Sequence, residues 1–181
     1  ANSTSQRWLK FSCAAVQSAI GSGTLTTLGL QLSVSEANDN SQISFYFNSN
    51  ATWQTDGAAH TNQNAATTTY LTYNNSGQPG ATNSRFLGTT TQIGSMTIPT
   101  RAGVLLTNQM VSLTLAPELL TAINNGTDFT IFAVSSNFNT TTTNGRLSSF
   151  VYEGVSAFQT GGGFPSGACP MLVGNVITVP E

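Results

Sequence analysis

The chain has 181 residues, a net charge of −2 and charged side chains at only 7% of its positions, against roughly 25% in an average protein. Its five basic residues are scattered, which argues against a surface for nucleic acid or anionic lipid. No apolar run is long enough to span a membrane. Polarity comes from 28 Thr, 20 Ser and 17 Asn residues, and such a neutral surface suits the cell exterior, where it can face glycans or sister subunits.

The strands are predicted, in chain order, from apolar residues at every second position. The segment "RWLKFSC" aligns Leu9, Phe11 and Cys13 on one face of a first strand. Further strands are predicted at "LTTLGLQLSVS", "ISFYFN", "VSLTL", "FTIFAVS", "RLSSFVY" and "MLVGNVITV". In "FTIFAVS" both alternate sets are apolar, which predicts a strand that is covered on both faces.

One short helix is predicted at "APELLTAINNG", where Pro117 and Glu118 suit the first turn and Asn125-Gly126 suits the C-terminal cap. Many strands with little helix predict an all-β fold, a jelly-roll-like β-sandwich with one short helix. We expect residues 1–181 to form a single domain, with long loops and short edge strands between Thr52 and Gly94.

Residues for catalysis or metal binding are sparse. His60 is the only histidine and lies in a polar segment, and no serine has the flanking pattern of a nucleophile elbow. The seven acids include several that suit turns or a helix start rather than a glycosidase pair. The segment "EANDN" at 36–40 offers oxygen ligands without the spacing of a defined calcium loop. We therefore expect a non-catalytic protein with no metal and no cofactor.

The aromatic residues Trp53, Tyr70 and Tyr73 lie in the loop-rich third of the chain, where binding residues concentrate. They are candidates for stacking against the C–H faces of sugars. The alternative, which we favour, is that they cover one end of the sandwich as a minor core, because large aromatic side chains are usually mostly buried.

Two further sets of residues are candidates for covalent modification. Cys13 and Cys169 are either two buried thiols or one bridge, and a bridge would indicate an oxidising compartment. Glycan attachment, if present, is expected more in the threonine clusters than at the asparagine sequons. The candidate positions are Thr68, Thr90, Thr141, Asn50 and Asn125.

The order of the segments resembles a known family. "RWLKFS", "SAIGSGTLTTLGLQLSVSEANDNSQISFYFN", "TWQTDG", "VSLTLAPELLTAINNGTDFTIFAVSS", "GRLSSFVYEG" and "CPMLVGNVITV" follow one another as in the secreted β-sandwich domains of DNRLRE type, which are related to carbohydrate-binding modules. The resemblance covers nearly the whole chain as a pattern. It implies that the first and last strands are neighbours, and hence a Cys13–Cys169 disulfide. The family often has a further strand before "LKF", and its absence here implies an unpaired sheet edge.

The final segment "ITVPE" is similar to the front half of a PEP-CTERM sorting signal, which an exosortase removes in Gram-negative bacteria that make exopolysaccharide. The resemblance implies that Val179, Pro180 and Glu181 are the remnant of that signal. It also implies a secreted protein at the cell surface or outside the cell.

Three functions remain open, of which we favour the first, a non-catalytic extracellular structural protein. The first is a self-assembling matrix or fibre subunit, a head-to-tail homo-oligomer formed by strand addition with Ala1–Gln6 or "NVITVPE" as the donor. The second is a carbohydrate-binding module with extracellular polysaccharide as its partner. The third is a jelly-roll viral capsid or spike protein.

Overall fold

The computed structural model describes residues 6–37, 41–54, 71, 76, 84–98, 106–135, 150–152 and 170–178. These residues form two antiparallel sheets and two short helices, so the expected all-β sandwich is confirmed. The elements are β1 (Gln6–Phe11), α1 (Cys13–Ile20), β2 (Thr24–Ala37), β3 (Ser41–Asn48), β4 (Thr90–Ile98), β5 (Leu106–Leu113), α2 (Pro117–Asn124), β6 (Phe129–Ser135), β7 (Phe150–Tyr152) and β8 (Met171–Ile177).

Both sheets are built from antiparallel neighbours. The first sheet has the order β1-β6-β3-β4. In the second sheet β2 pairs with β5 on one side, while β7 and β8 pair with different parts of its other side. Gly29 of β2 shows this pairing on both sides, because it lies opposite Ser112 of β5 and opposite Val173 of β8.

The core lies between the two sheets and follows the predicted alternation. Leu30 of β2, Phe45 of β3 and Ile131 of β6 are all at most 1% exposed, as are several of their neighbours two positions away. Phe132, on the opposite face of β6, is also buried. This confirms that β6 is covered on both faces.

The predicted helix is present as α2. Pro117 lies in its first turn, Asn125 is its C-cap, and Gly126 follows with φ of 67°, a left-handed conformation that glycine adopts without steric cost. Leu119 and Ile123 are buried and anchor the helix to the core.

A second helix, α1, was not predicted. The first strand ends at Phe11, and Cys13 begins α1 instead of continuing the strand as expected. The backbone N–H of Cys13 donates to the carboxylate of Asp128 at 2.9 Å, which satisfies one of the free donors at the helix N-terminus. Gly21 ends the helix with φ of 59°. Strand β4 was likewise not predicted as an element of its own.

The two sides of the sandwich differ. On one side β4 approaches β5, and the N–H of Thr114 donates to the carbonyl of Ile93 at 2.6 Å. We call this the closed side. On the other side the end of β1, helix α1 and strand β8 surround a groove. We call this the open side.

Candidate functional site

The structure offers no cluster for metal chemistry among the residues that it describes, where no three His, Cys, Asp or Glu side chains lie together. None of the helices in that part of the chain is long and apolar enough to cross a membrane. His60 lies outside the described residues. The expectation of a non-catalytic protein therefore stays a prediction.

Trp53 does not form a sugar-stacking platform. Its side chain is only 4% exposed, and its indole Nε1 donates to the hydroxyl of Thr130 at 2.8 Å. The Lys10 ammonium lies 5.1 Å from the centre of the indole ring and donates to the Trp53 carbonyl at 2.7 Å. Trp53 is thus a buried side chain with its polar group satisfied, as in the minor-core alternative. Tyr70 and Tyr73 lie outside the described residues.

A row of aromatic rings crosses the first sheet on the face away from the core. Phe132 of β6 stacks on Trp8 of β1 at 5.0 Å between ring centres, and on Tyr46 of β3 at 5.2 Å. The three residues are register partners on adjacent strands, so their stacking reinforces the strand pairing. Trp8 and Tyr46 are half-buried. Sequence reasoning missed this row, although Trp8 and Tyr46 each occupy the polar-face position of an alternating strand.

The described glycosylation candidates differ in their accessibility. Thr90 begins β4 and is exposed, and Asn125 is exposed at the C-cap of α2. Asn50 is half-buried, and its Nδ2 donates to the carbonyl of Arg85 at 3.3 Å. Thr68 and Thr141 lie outside the described residues, as do Val179, Pro180 and Glu181 of the proposed sorting signal.

Cys13 is a free, fully buried thiol. Its Sγ donates to the carbonyl of Ala122 at 3.3 Å, in the last turn of α2. This goes against the predicted Cys13–Cys169 disulfide, because a thiol that donates to a carbonyl is not half of a bridge. Cys169 itself lies outside the described residues. Burial, and then the charge of Asp128, raise the pKa of the Cys13 thiol, which favours its neutral, hydrogen-bonding form.

The most unusual surface is the edge of β8 that faces away from β2, which we call the β8 edge. Among the described residues β8 pairs with β2 alone. The strand sequence MLVGNVI contains no charge and no proline, the usual protections of a strand edge. Its apolar side chains are well exposed: Met171 40%, Val173 43%, Val176 37% and Ile177 57%.

The groove beside this edge is apolar. It has a volume of about 480 Å³ and lies between α1 and β8, which we call the α1–β8 groove. Ala15 and Ala19 of α1, together with Gly174 of β8, are small residues in its lining, and Val16, Leu172 and Val176 supply apolar surface. Lys10 also lines it, with its ammonium bonded to the Trp53 carbonyl. Such a groove can take neutral, apolar side chains.

The two segments predicted as strand donors are partly used within their own chain. Gln6, the last residue of Ala1–Gln6, pairs with Val134. Residues 175–177 of "NVITVPE" pair with β2. An association that preserves this pairing must therefore use backbone groups that are still free.

Comparison with known proteins gives no relative for this chain. No family model matches it, and neither a curated protein nor a solved structure does. The resemblance to DNRLRE-type domains and to the PEP-CTERM signal therefore stays a prediction from the segment pattern.

Proposed function

We propose that this chain is a non-catalytic extracellular structural subunit whose copies assemble by strand addition into a matrix or fibre. The observation that carries the proposal is the β8 edge, which pairs with nothing else among the described residues and has exposed apolar side chains without charge or proline. Unpaired N–H and C=O groups along such an edge readily pair with another chain. The low charge of the whole sequence is compatible with close packing of many identical copies, because little charge repulsion opposes it.

The α1–β8 groove supports the same proposal. A strand added beside β8 would extend the second sheet, and its inward side chains would meet Ala15 and Ala19 of α1. The added strand would bury apolar surface as well as form backbone hydrogen bonds. Burial contributes roughly 25 cal/mol for each Å² of apolar area removed from water. Apolar burial and backbone hydrogen bonds would therefore both favour the added strand.

The proposal is tested by measuring assembly of the purified chain over a range of concentrations. Sedimentation velocity and electron microscopy should show growing assemblies of the wild type and their loss in Val173→Lys, because a charge on the edge strand opposes pairing. Thr121→Lys, an exposed position on α2, is the matched control and should assemble normally. A wild type that stays monomeric at the highest concentration, or a Val173→Lys variant that assembles like the control, would refute the proposal.

A second function, carbohydrate binding, is favoured by the aromatic row on the outer face of the first sheet. Trp8 and Tyr46 are the half-buried ends of this row. The exposed parts of their rings are available to the C–H faces of a sugar. Binding of extracellular polysaccharides, measured by calorimetry, should then weaken in Trp8→Ala and persist in Val173→Lys. The absence of binding to every glycan on an array would remove this candidate.

A further inference from the structure

The direction of the Asn175 backbone shows which backbone groups of β8 point away from β2. Its N–H donates to the Thr27 hydroxyl at 3.2 Å, and its carbonyl accepts from the Thr26 hydroxyl at 3.1 Å. Both backbone groups of Asn175 thus point toward β2. Because successive residues of a strand point their N–H and C=O to opposite sides, Leu172, Gly174 and Val176 direct theirs away from β2, along the β8 edge.

These outward groups are arranged symmetrically about Gly174. If a second β8 runs antiparallel beside the first with Gly174 opposite Gly174, Leu172 lies opposite Val176 of the other copy. All of these are outward-pointing residues, so each opposed pair exchanges its N–H···O=C bonds as in a regular antiparallel ladder. On the outer face of the sheet, Met171 comes to lie opposite Ile177. Ile177, the most exposed apolar side chain of β8, is thus covered by Met171 of the other copy.

We propose that two copies of this chain pair through their β8 edges, antiparallel and centred on Gly174, to form a two-fold dimer. The inference rests on the proposed self-assembly and names its contact surface. It uses the same strand on both copies and leaves the pairing of β8 with β2 intact. The contact is therefore isologous and closes on itself, so growth into a fibre requires a second surface.

Charge and shape favour a second copy as the occupant. The β8 edge carries no charged residue, and the ammonium of Lys10, which lines the groove, is bonded to the carbonyl of Trp53. A basic peptide would find no countercharge among these residues, and an acidic peptide would find Lys10 alone. The partner's β8 is neutral, and its inward residues Leu172 and Val176 are apolar side chains of the kind that the α1–β8 groove can take.

A cysteine cross-link tests the register directly. Val173 and Asn175 of opposite copies form a pair whose N–H groups face away from each other, with Cα atoms about 4.5 Å apart, close enough for a disulfide. In a Cys169→Ser background, Val173→Cys/Asn175→Cys should give an oxidised dimer. Met171→Cys/Val173→Cys is the control, because neither of its cysteines lies opposite another, and it should give little.

A backbone substitution tests the hydrogen bonds. Val176→Pro removes an outward N–H and leaves the N–H groups that face β2, whereas Val176→Thr retains all of them. Sedimentation equilibrium should show a dimer dissociation constant about thirtyfold higher for the proline variant, because two symmetry-related bonds are lost, and a nearly unchanged constant for the threonine variant.

The outcomes separate this inference from the proposed function. Fibres with equal cross-linking of the two double variants would overturn the β8 pair and leave self-assembly standing. Cross-linked dimers that never grow would support the pair and refute the matrix or fibre subunit. A chain that is monomeric throughout would overturn both.

Discussion

The closed and open sides of the sandwich end their sheets in different ways. On the closed side, β4 and β5 approach so closely that a Cβ on Gly94 would lie 3.0 Å from the carbonyl oxygen of Ser112. On the open side, α1 presents alanines beside β8, and a groove remains between them. A sheet edge next to another strand is protected from further pairing, whereas an edge beside a groove is available to it.

The two sides of the sandwich therefore differ in how much they contribute to the stability of one copy. Ile93 on the closed side is 1% exposed, whereas Val176 on the open side is 37% exposed. The closed side therefore contributes to the core of each copy. The open side, where Val176 is partly exposed, contributes less to that core.

The largest effect on stability is expected when a buried side chain of the closed side is shortened. Ile93→Ala should lower the free energy of unfolding by about 2–4 kcal/mol, because it removes buried methyl groups and leaves a cavity. Val176→Ala on the open side should change it by less than about 0.5 kcal/mol. Urea titration measures both. Equal losses in the two variants would show that the sides do not differ in this way.

A smaller effect on stability is expected when a side chain is added where β4 and β5 lie closest together. Gly94→Val should destabilise the chain by about 1–3 kcal/mol, since the added side chain would crowd Ser112 and Leu113. Dimer formation, measured by sedimentation equilibrium, should not change. Gly21→Val is no control here, because Gly21 has a positive φ. Thr97→Val, at an exposed position on β4, is suitable and should be close to neutral.

The smallest effect concerns pH at the junction of α1 and α2. Burial, and then Asp128, raise the pKa of the Cys13 thiol in the folded state. The folded chain therefore holds this proton more tightly than the unfolded chain does. The stability that results is complete below the unfolded thiol pKa of about 8.5 and is lost as pH rises through the higher folded pKa.

Thermal unfolding between pH 7 and pH 10 measures this loss. Cys13→Ala should show a weaker decline of the free energy of unfolding across that range than the wild type. A wild type and a variant with parallel pH profiles would mean that the thiol does not titrate differently in the two states.

The alternating segments were predictable because each strand carries its own signal. Leu30 and Phe45 lie at positions where apolar residues recur with period two, and both are buried as predicted. The helix α2 was equally local, since Pro117 and Gly126 mark its two ends. These elements could be predicted because their signals lie within each segment and do not depend on distant contacts.

The features that sequence reasoning missed depend on distant partners. Cys13 continues the alternation of Leu9 and Phe11, yet it begins a helix, and its backbone N–H donates to Asp128, 115 positions away. Trp53 is buried, as the favoured alternative expected, but its hydrogen-bond partner Thr130 lies 77 positions away. The family pattern predicted an unpaired sheet edge without saying which strand provides it. The position of β8 depends on its pairing with β2, and the sequence of neither strand alone predicts that pairing.

The central claim is that copies of this chain associate through the β8 edge, and amide hydrogen exchange tests it most directly. We predict that the N–H groups of Leu172, Gly174 and Val176 exchange rapidly in dilute protein and become protected as concentration rises. The N–H of Asn175 points toward β2, and Ile93 lies on the closed side, so their protection should change far less. Exchange at Leu172, Gly174 and Val176 that is independent of concentration, up to the highest attainable, would contradict the account.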